Sequence, residues 1–144
     1  MKLYMMVFAA ILIFILSGCL GAQNVQMEEA NIDWNVTDNY VWSDNGTYRF
    51  AVDYRSHDSS MLVYLRGTAM SSNRDLTVED YYMEGNELII ETNITTNPQV
   101  GTRSVNYPDK TMRVYPNRDV ENITHVFNDK GRVTVDVESF SLSD

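Results

Sequence analysis

The chain has 144 residues, a formal net charge of −9 and a single cysteine. That length is one domain's worth, enough to close a hydrophobic core without metal or disulfide. The acidic balance excludes a basic footprint for nucleic acid or for anionic headgroups, and one cysteine excludes an intramolecular disulfide.

The N-terminus carries Lys2, an apolar run from Tyr4 to Leu16, and then Leu16-Ser17-Gly18-Cys19. A membrane-spanning helix needs about 20 apolar residues. The twelve from Met5 to Leu16 fall in the h-region range of a secretion signal instead. A buried core helix is a second alternative, but the run has no polar face to turn toward solvent. A signal cut elsewhere, with Cys19 incidental, is the third. Leucine at −3, small residues at −2 and −1, and then cysteine suit a peptidase that takes extended backbone into a narrow site before the thiol is alkylated. The tetrad resembles the lipobox of prokaryotic lipoproteins, and its Gly-Cys-Leu-Gly context is similar to archaeal surface lipoproteins. The resemblance implies that residues 1–18 are a signal peptide, helical in the membrane, and that Cys19 takes the lipid and becomes the first residue. Two lipid chains on Cys19 would anchor the protein where a single chain binds only marginally, and lipidation would consume a thiol otherwise exposed to an oxidising compartment. Lys2 leaves with the signal, so ten Lys and Arg then face twenty Asp and Glu, a formal charge of −10.

Residues 19–39 are polar and acidic, with apolar residues occurring singly, and predict a tether. Treated as a coil, it spans roughly 20–25 Å. Ile32, Trp34 and Val36 alternate and predict a short first strand.

From residue 40 onward the period is two. Tyr40-Val41-Trp42 precedes a turn at Ser43-Asp44-Asn45-Gly46. Tyr48, Phe50, Val52 and Tyr54 then share one face, with Thr47, Arg49, Ala51 and Asp53 on the other, the signature of a half-buried strand. Arg55 to Ser60 reads as a polar loop and Met61 to Ala69 as a strand, broken by Ser71–Asp75. Leu76–Met83 and Glu87–Thr96 flank Glu84-Gly85-Asn86, where glycine can supply the positive φ of a hairpin. Leu88, Ile90, Thr92 and Ile94 share one face of the second arm. Asn97-Pro98 ends it, because proline cannot donate to a ladder. Further runs at Thr102–Tyr107, Thr111–Tyr115 and Val120–Phe127 are followed by a turn at Asn128–Gly131 and the alternating Val133, Val135 and Val137. No stripe at helical spacing follows Cys19. Residues 40–144 therefore predict one all-β extracytoplasmic domain, an antiparallel sandwich or small barrel of about 7–9 short strands.

Chemistry is sparse. His57-Asp58-Ser59-Ser60 holds the letters of a nucleophilic triad, but neighbours in one loop cannot converge on a point, and the polar surface loop is the simpler reading. His125 alternates with apolar residues and predicts a partly exposed strand histidine. With one cysteine and two histidines no zinc ligand set exists. Asp38, Asp44 and Asn45, or Asn128 and Asp129, could offer oxygen ligands to calcium, yet none follows a calcium-loop pattern and Asp/Asn-Gly is ordinary turn chemistry. Glu79 with Asp80, or Glu87 with Glu91, could pair for glycoside hydrolysis, but nothing singles them out. The expectation is a non-catalytic protein with no metal and no cofactor.

Asn35, Asn45, Asn93 and Asn122 each open an Asn-x-Thr triplet and are candidate N-glycosylation sites in a host that modifies them. Tyr81 and Tyr82 point to opposite faces of one strand, and a tyrosine-rich face can bind sugar or protein.

From Leu76 to Val126 the order of features resembles the PrcB-type C-terminal domain, a protease-stabilising module of bacterial surface proteins. The strand Leu76–Met83, the Gly85 hairpin, the strand Leu88–Ile94, Tyr107-Pro108 and the run Met112–Pro116 carry it. The family's Gly-Gly-Tyr lead-in is replaced here by Ser71–Asp75. The resemblance implies a β-rich protein-interaction module and brings no catalytic residue. The expected function is thus a membrane-anchored module for an envelope protein partner or a protease complex, and the alternative is a surface domain binding a solute, a glycan or Ca²⁺.

Overall fold

The computed structural model describes residues 25–31, 41–44, 48–57, 59–68, 70–71, 73–96 and 105–138. The described strands are β1 (Val25–Glu29), β2 (Val41–Asp44), β3 (Arg49–His57), β4 (Ser60–Arg66), β5 (Met70–Ser71), β6 (Arg74–Glu84), β7 (Glu87–Thr96), β8 (Val105–Asn106), β9 (Asp109–Pro116), β10 (Asn122–Phe127) and β11 (Gly131–Asp136). No helix occurs among the described residues. The expected signal helix, the Cys19 tetrad and the Ile32–Val36 strand lie outside them.

One sheet has five strands in the order β1-β9-β4-β3-β2, and a second has four in the order β11-β10-β7-β6. They pack face to face. Phe50, Val52, Met61, Val63, Leu65 and Val114 from the first meet Leu76, Leu88, Ile90, Ile123 and Phe127 from the second in one cluster, each at most 2% exposed. The two sheets make a sandwich rather than a barrel, with β5 and β8 forming a separate two-stranded ribbon. The predicted core faces of β3, β7 and β11 are those that bury. Tyr48, Tyr54, Ile94, Val135 and Val137 complete the cluster from its rim.

Three features depart from the sequence reading. First, the sandwich is not wholly antiparallel: β10 runs parallel to β7, with Ile123 beside Leu88 and His125 beside Ile90. After β7 the chain crosses to the other sheet to form β9 before returning, and a crossover of that length is what parallel pairing needs. Second, the tether expected over 19–39 gives way to structure at Val25–Glu29, which pairs residue by residue with Pro116–Met112; Val25 is 5% exposed. Third, strand structure reaches into the loop expected over Arg55–Ser60, since Arg55, Ser56 and His57 pair with Leu62, Met61 and Ser60. Backbone ladders do not depend on side-chain polarity, so polar residues continue a strand when both partners are in register.

A β-bulge at Glu79 sets the faces of β6. Val78 lies opposite Thr92 and Asp80 opposite Glu91, leaving Glu79 over. The inward phase consequently changes from Leu76 and Val78 to Tyr81 and Met83, and Tyr82 points outward.

The β6–β7 hairpin closes with Glu84 opposite Glu87 across Gly85-Asn86. Gly85 has φ +62°, and a Cβ placed on it would have no other atom within 4 Å, while Asn86 stays at negative φ. This is the pattern of a turn whose first central residue must be left-handed. Gly85→Ala should therefore meet no clash and still cost about 1–2 kcal/mol of backbone strain, read as a lower urea midpoint with an unchanged m-value. At the opposite end of the sandwich, a Cβ on Gly67 would meet Phe127 at 3.1 Å, Pro108 at 3.2 Å and Ile94 at 3.4 Å. That close approach brings the end of β4 against the end of the second sheet.

Candidate functional site

The alternation Ile123-x-His125-x-Phe127 turns His125 into the core, where it is 0% exposed. The expected partly exposed histidine is instead among the most enclosed side chains of the protein. Its Nδ1 lies 3.0 Å from the carbonyl oxygen of Ala51 in the opposite sheet. A carbonyl only accepts, so Nδ1 carries the proton and donates. Nε2 of the neutral ring then accepts from the Thr92 hydroxyl at 2.6 Å. Phe50 and Phe127 stack on each other with centroids 5.2 Å apart, and both meet the imidazole edge-on, at 5.6 and 6.1 Å. Burial pushes the His125 pKa down to about 4, only partly countered by the bond to Ala51. Hydroxyl, imidazole and acceptor stand in the order of a nucleophile, base and orienter. However, with Thr92 at 2% and His125 at 0% exposure, no substrate reaches them, and the trio acts as a polar tie between sheets.

Sequence reasoning missed this centre although its signal was present. Thr92 shares the phase of Leu88, Ile90 and Ile94, and His125 shares that of Ile123 and Phe127. Two polar residues on apolar faces of different strands are candidates for each other.

The other sequence candidates are dispersed. His57 pairs with Ser60 in the β3–β4 hairpin, where Ser60 is 3% exposed; Asp58 lies outside the described residues. Glu79 accepts from the Asn93 amide at 3.1 Å. Asp80 caps the next backbone N–H, that of Tyr81, at 2.9 Å. Glu87 accepts from the Thr124 hydroxyl, and Thr124 in turn accepts from Thr134 at 2.7 Å. These carboxylates share the outer face of the second sheet with Tyr82, whose hydroxyl pKa is raised by desolvation and then by Glu91, Glu84 and Asp80. Asn128 and Asp129, at φ +50° and +53°, hold the β10–β11 turn, and the Asn128 side chain accepts from the Ile94 N–H at 3.0 Å. Asp38 and Asn45 lie outside the described residues, as does the side chain of Asp44. Among the described residues no group of three His, Cys, Asp or Glu is placed to hold a metal.

Of the four glycosylation candidates, Asn35 and Asn45 lie outside the described residues. Asn93 spends its amide nitrogen on Glu79 and its oxygen on the Ile94 N–H at 2.8 Å. The Asn122 amide nitrogen donates to the Glu121 carbonyl at 3.0 Å and the Asp136 carboxylate at 2.8 Å. A glycan on either would take the nitrogen that these bonds use.

Among the described residues, an aromatic cleft lies on the edge strand β1. Val25, Gln26, Met27, Glu28, Tyr81 and Tyr115 enclose about 380 Å³. Tyr115 is 39% exposed, and its hydroxyl donates to Glu28 at 3.1 Å, with the Arg113 guanidinium 4.0 Å from the same carboxylate. At the other end of the sheet the Arg66 guanidinium lies 4.1 Å over the ring of Tyr107, which is 38% exposed. A second cleft of about 340 Å³, lined by Glu91, Val126, Asp129, Lys130, Gly131 and Arg132, lies by the β10–β11 turn. No family model, curated protein or solved structure matches the chain.

Proposed function

We propose that the protein is a lipid-anchored, extracytoplasmic β-sandwich that acts by binding a protein partner rather than by catalysis. In this reading residues 1–18 are removed as a signal peptide, Cys19 carries the lipid, and the domain faces the outside of the cell membrane. The observation that carries it is the cleft on β1, where an exposed tyrosine stands beside an edge strand. Tyrosine supplies a large contact area at little entropic cost, and an edge strand offers backbone groups to a partner. The PrcB-type resemblance of residues 76–126 supports the same class, and the acidic charge favours a partner other than nucleic acid.

Cys19→Ser should leave the protein unprocessed or release it from the membrane fraction; correctly processed protein retained in the membrane would refute lipidation. For the partner, a pulldown of the lipidated protein from native membranes should recover a protein that is lost with Tyr115→Ala. Recovery of the domain always alone, or a partner indifferent to Tyr115, counts against the reading.

A second reading has its own support, because a cleft of about 380 Å³ lined by two tyrosines and a carboxylate is the size of a small-molecule site. It predicts a rise in melting temperature with millimolar sugar or Ca²⁺, and no rise with any of them sinks it.

A further inference from the structure

The start of β1 fixes which end of the sandwich faces the membrane. Val25 pairs with Pro116, and two residues further along β9 Val114 pairs with Met61, so Val25 is level with the β3–β4 turn. The same end holds the Gly85-Asn86 turn, because the Glu121 N–H donates to the Asn86 carbonyl at 2.8 Å and Arg118 to the Gly85 carbonyl at 3.3 Å. The opposite end is marked by Gly67, whose N–H donates to Pro108 at 2.7 Å, and by the start of β6, where Arg74 pairs with Thr96.

Magnitudes decide the orientation. Cys19 and Val25 are six residues apart, and fully extended chain covers at most about 20 Å over that interval. The long axis of the second sheet, set by β6 and β7, is about 30 Å at 3.3 Å per residue. A leash shorter than the body it holds cannot let that body invert. We infer that the sandwich is held with the end formed by Val25, Gly85-Asn86 and Pro116–Glu121 toward the bilayer, which places the Tyr115 cleft in its membrane-proximal half and fits it to a partner that is itself membrane-bound. The inference rests on the lipid anchor proposed above. Glu84, Asp119, Glu121, Asp136 and Glu138 outnumber Arg118 and Arg55 at this end, so anionic headgroups repel it and the orientation comes from the leash, not from adhesion.

The test uses full-length, processed protein in phosphatidylcholine vesicles that carry a headgroup-attached nitroxide quencher. Lipidation consumes Cys19, so Asn117→Cys or Asp75→Cys, both at exposed positions of opposite ends, supplies the only free thiol for a fluorophore. The label at position 117 should be quenched several-fold more than that at 75. Equal quenching, or stronger quenching at 75, in protein that floats with the vesicles overturns the orientation and leaves the anchor standing. Protein that does not float and whose Cys19 reacts with the fluorophore overturns the anchor reading and the orientation with it.

Discussion

Acidification from pH 7 to pH 4 should remove about 3 kcal/mol of stability through His125 alone, and the loss should vanish in a variant that lacks the imidazole. The folded pKa of His125 is about 4 against an ordinary value of 6.5. Between those values the unfolded chain binds a proton that the folded chain refuses, so stability falls as pH falls through that window and is fully present above it. His125→Leu alone leaves the Thr92 hydroxyl buried without its acceptor, an expected penalty of about 1–3 kcal/mol. Pairing it with Thr92→Val removes both polar side chains together, leaving only the Ala51 carbonyl without the imidazole's N–H. Urea melts of the wild type and the double variant, compared at each pH, should then differ by a constant amount above pH 7, and the wild type should lose about 3 kcal/mol relative to the double variant between pH 7 and pH 4. A difference that stays constant across that range would mean that the buried ring is not the titrating group.

Taking the difference matters, because other groups pull the other way. Desolvation raises the pKa of Asp53, with opposing contributions from the Tyr54 N–H and Arg55. A carboxyl that gains its proton more readily when folded adds stability as pH falls. Neutralising the excess of Asp and Glu in a chain of net charge −9 also relieves repulsion on acidification. These contributions are common to the wild type and the double variant and cancel in the comparison.

Where sequence and structure agree, one physical cause recurs. A strand buried on one face must alternate, and Phe50-Val52-Tyr54, Leu88-Ile90-Ile94 and Val133-Val135-Val137 all do. Gly85 was legible because a two-residue turn needs a left-handed residue. The bulge at Glu79 was not read from the sequence, where Leu76–Met83 is a plain hairpin arm; it shows in the register, as a change of phase between Leu76-Val78 and Tyr81-Met83. Strand β1 was hidden because an edge strand is held largely by backbone bonds to one neighbour, and only Val25 and Met27 show a core face. The parallel pairing of β10 with β7 was hidden for a different reason: register between residues 35 positions apart depends on what the chain does in between. His125 fell between these cases. Its phase was visible, but its burial depended on partners from β3 and β7, the Ala51 acceptor and the Thr92 donor, that the local sequence does not announce. None of the readable chemistry gathers at the β1 cleft, which owes its existence to β1, β6 and β9 coming together.

The largest single-residue effect on stability is expected at Phe127. Its ring is 0% exposed and touches both sheets. It stacks on Phe50 at 5.2 Å and 21°, meets Tyr48 at 6.2 Å, closes over His125 from one side and lies against the space a Cβ on Gly67 would fill. Phe127→Ala should cost about 3–5 kcal/mol, the range for a buried phenylalanine in a core that cannot collapse. Collapse is resisted here because the ring's neighbours belong to ladders on both sheets, and Gly67 has no side chain to move into the space. For a domain of this size that corresponds to a melting temperature lower by about 10–20 °C. The cavity should also open space beside the His125 ring, which Phe127 meets at 6.1 Å, and weaken the desolvation that depresses its pKa. Phe127→Ala should therefore lose less stability between pH 7 and pH 4 than the wild type does, whereas Tyr107→Ala, a surface truncation remote from the imidazole, should keep the full pH dependence. Phe127→Leu retains most of the apolar volume and should restore both the stability and the pH response in large part. A Phe127→Ala protein within about 1 kcal/mol of wild type would show that the two sheets do not depend on this contact, since that is the cost of an ordinary substitution.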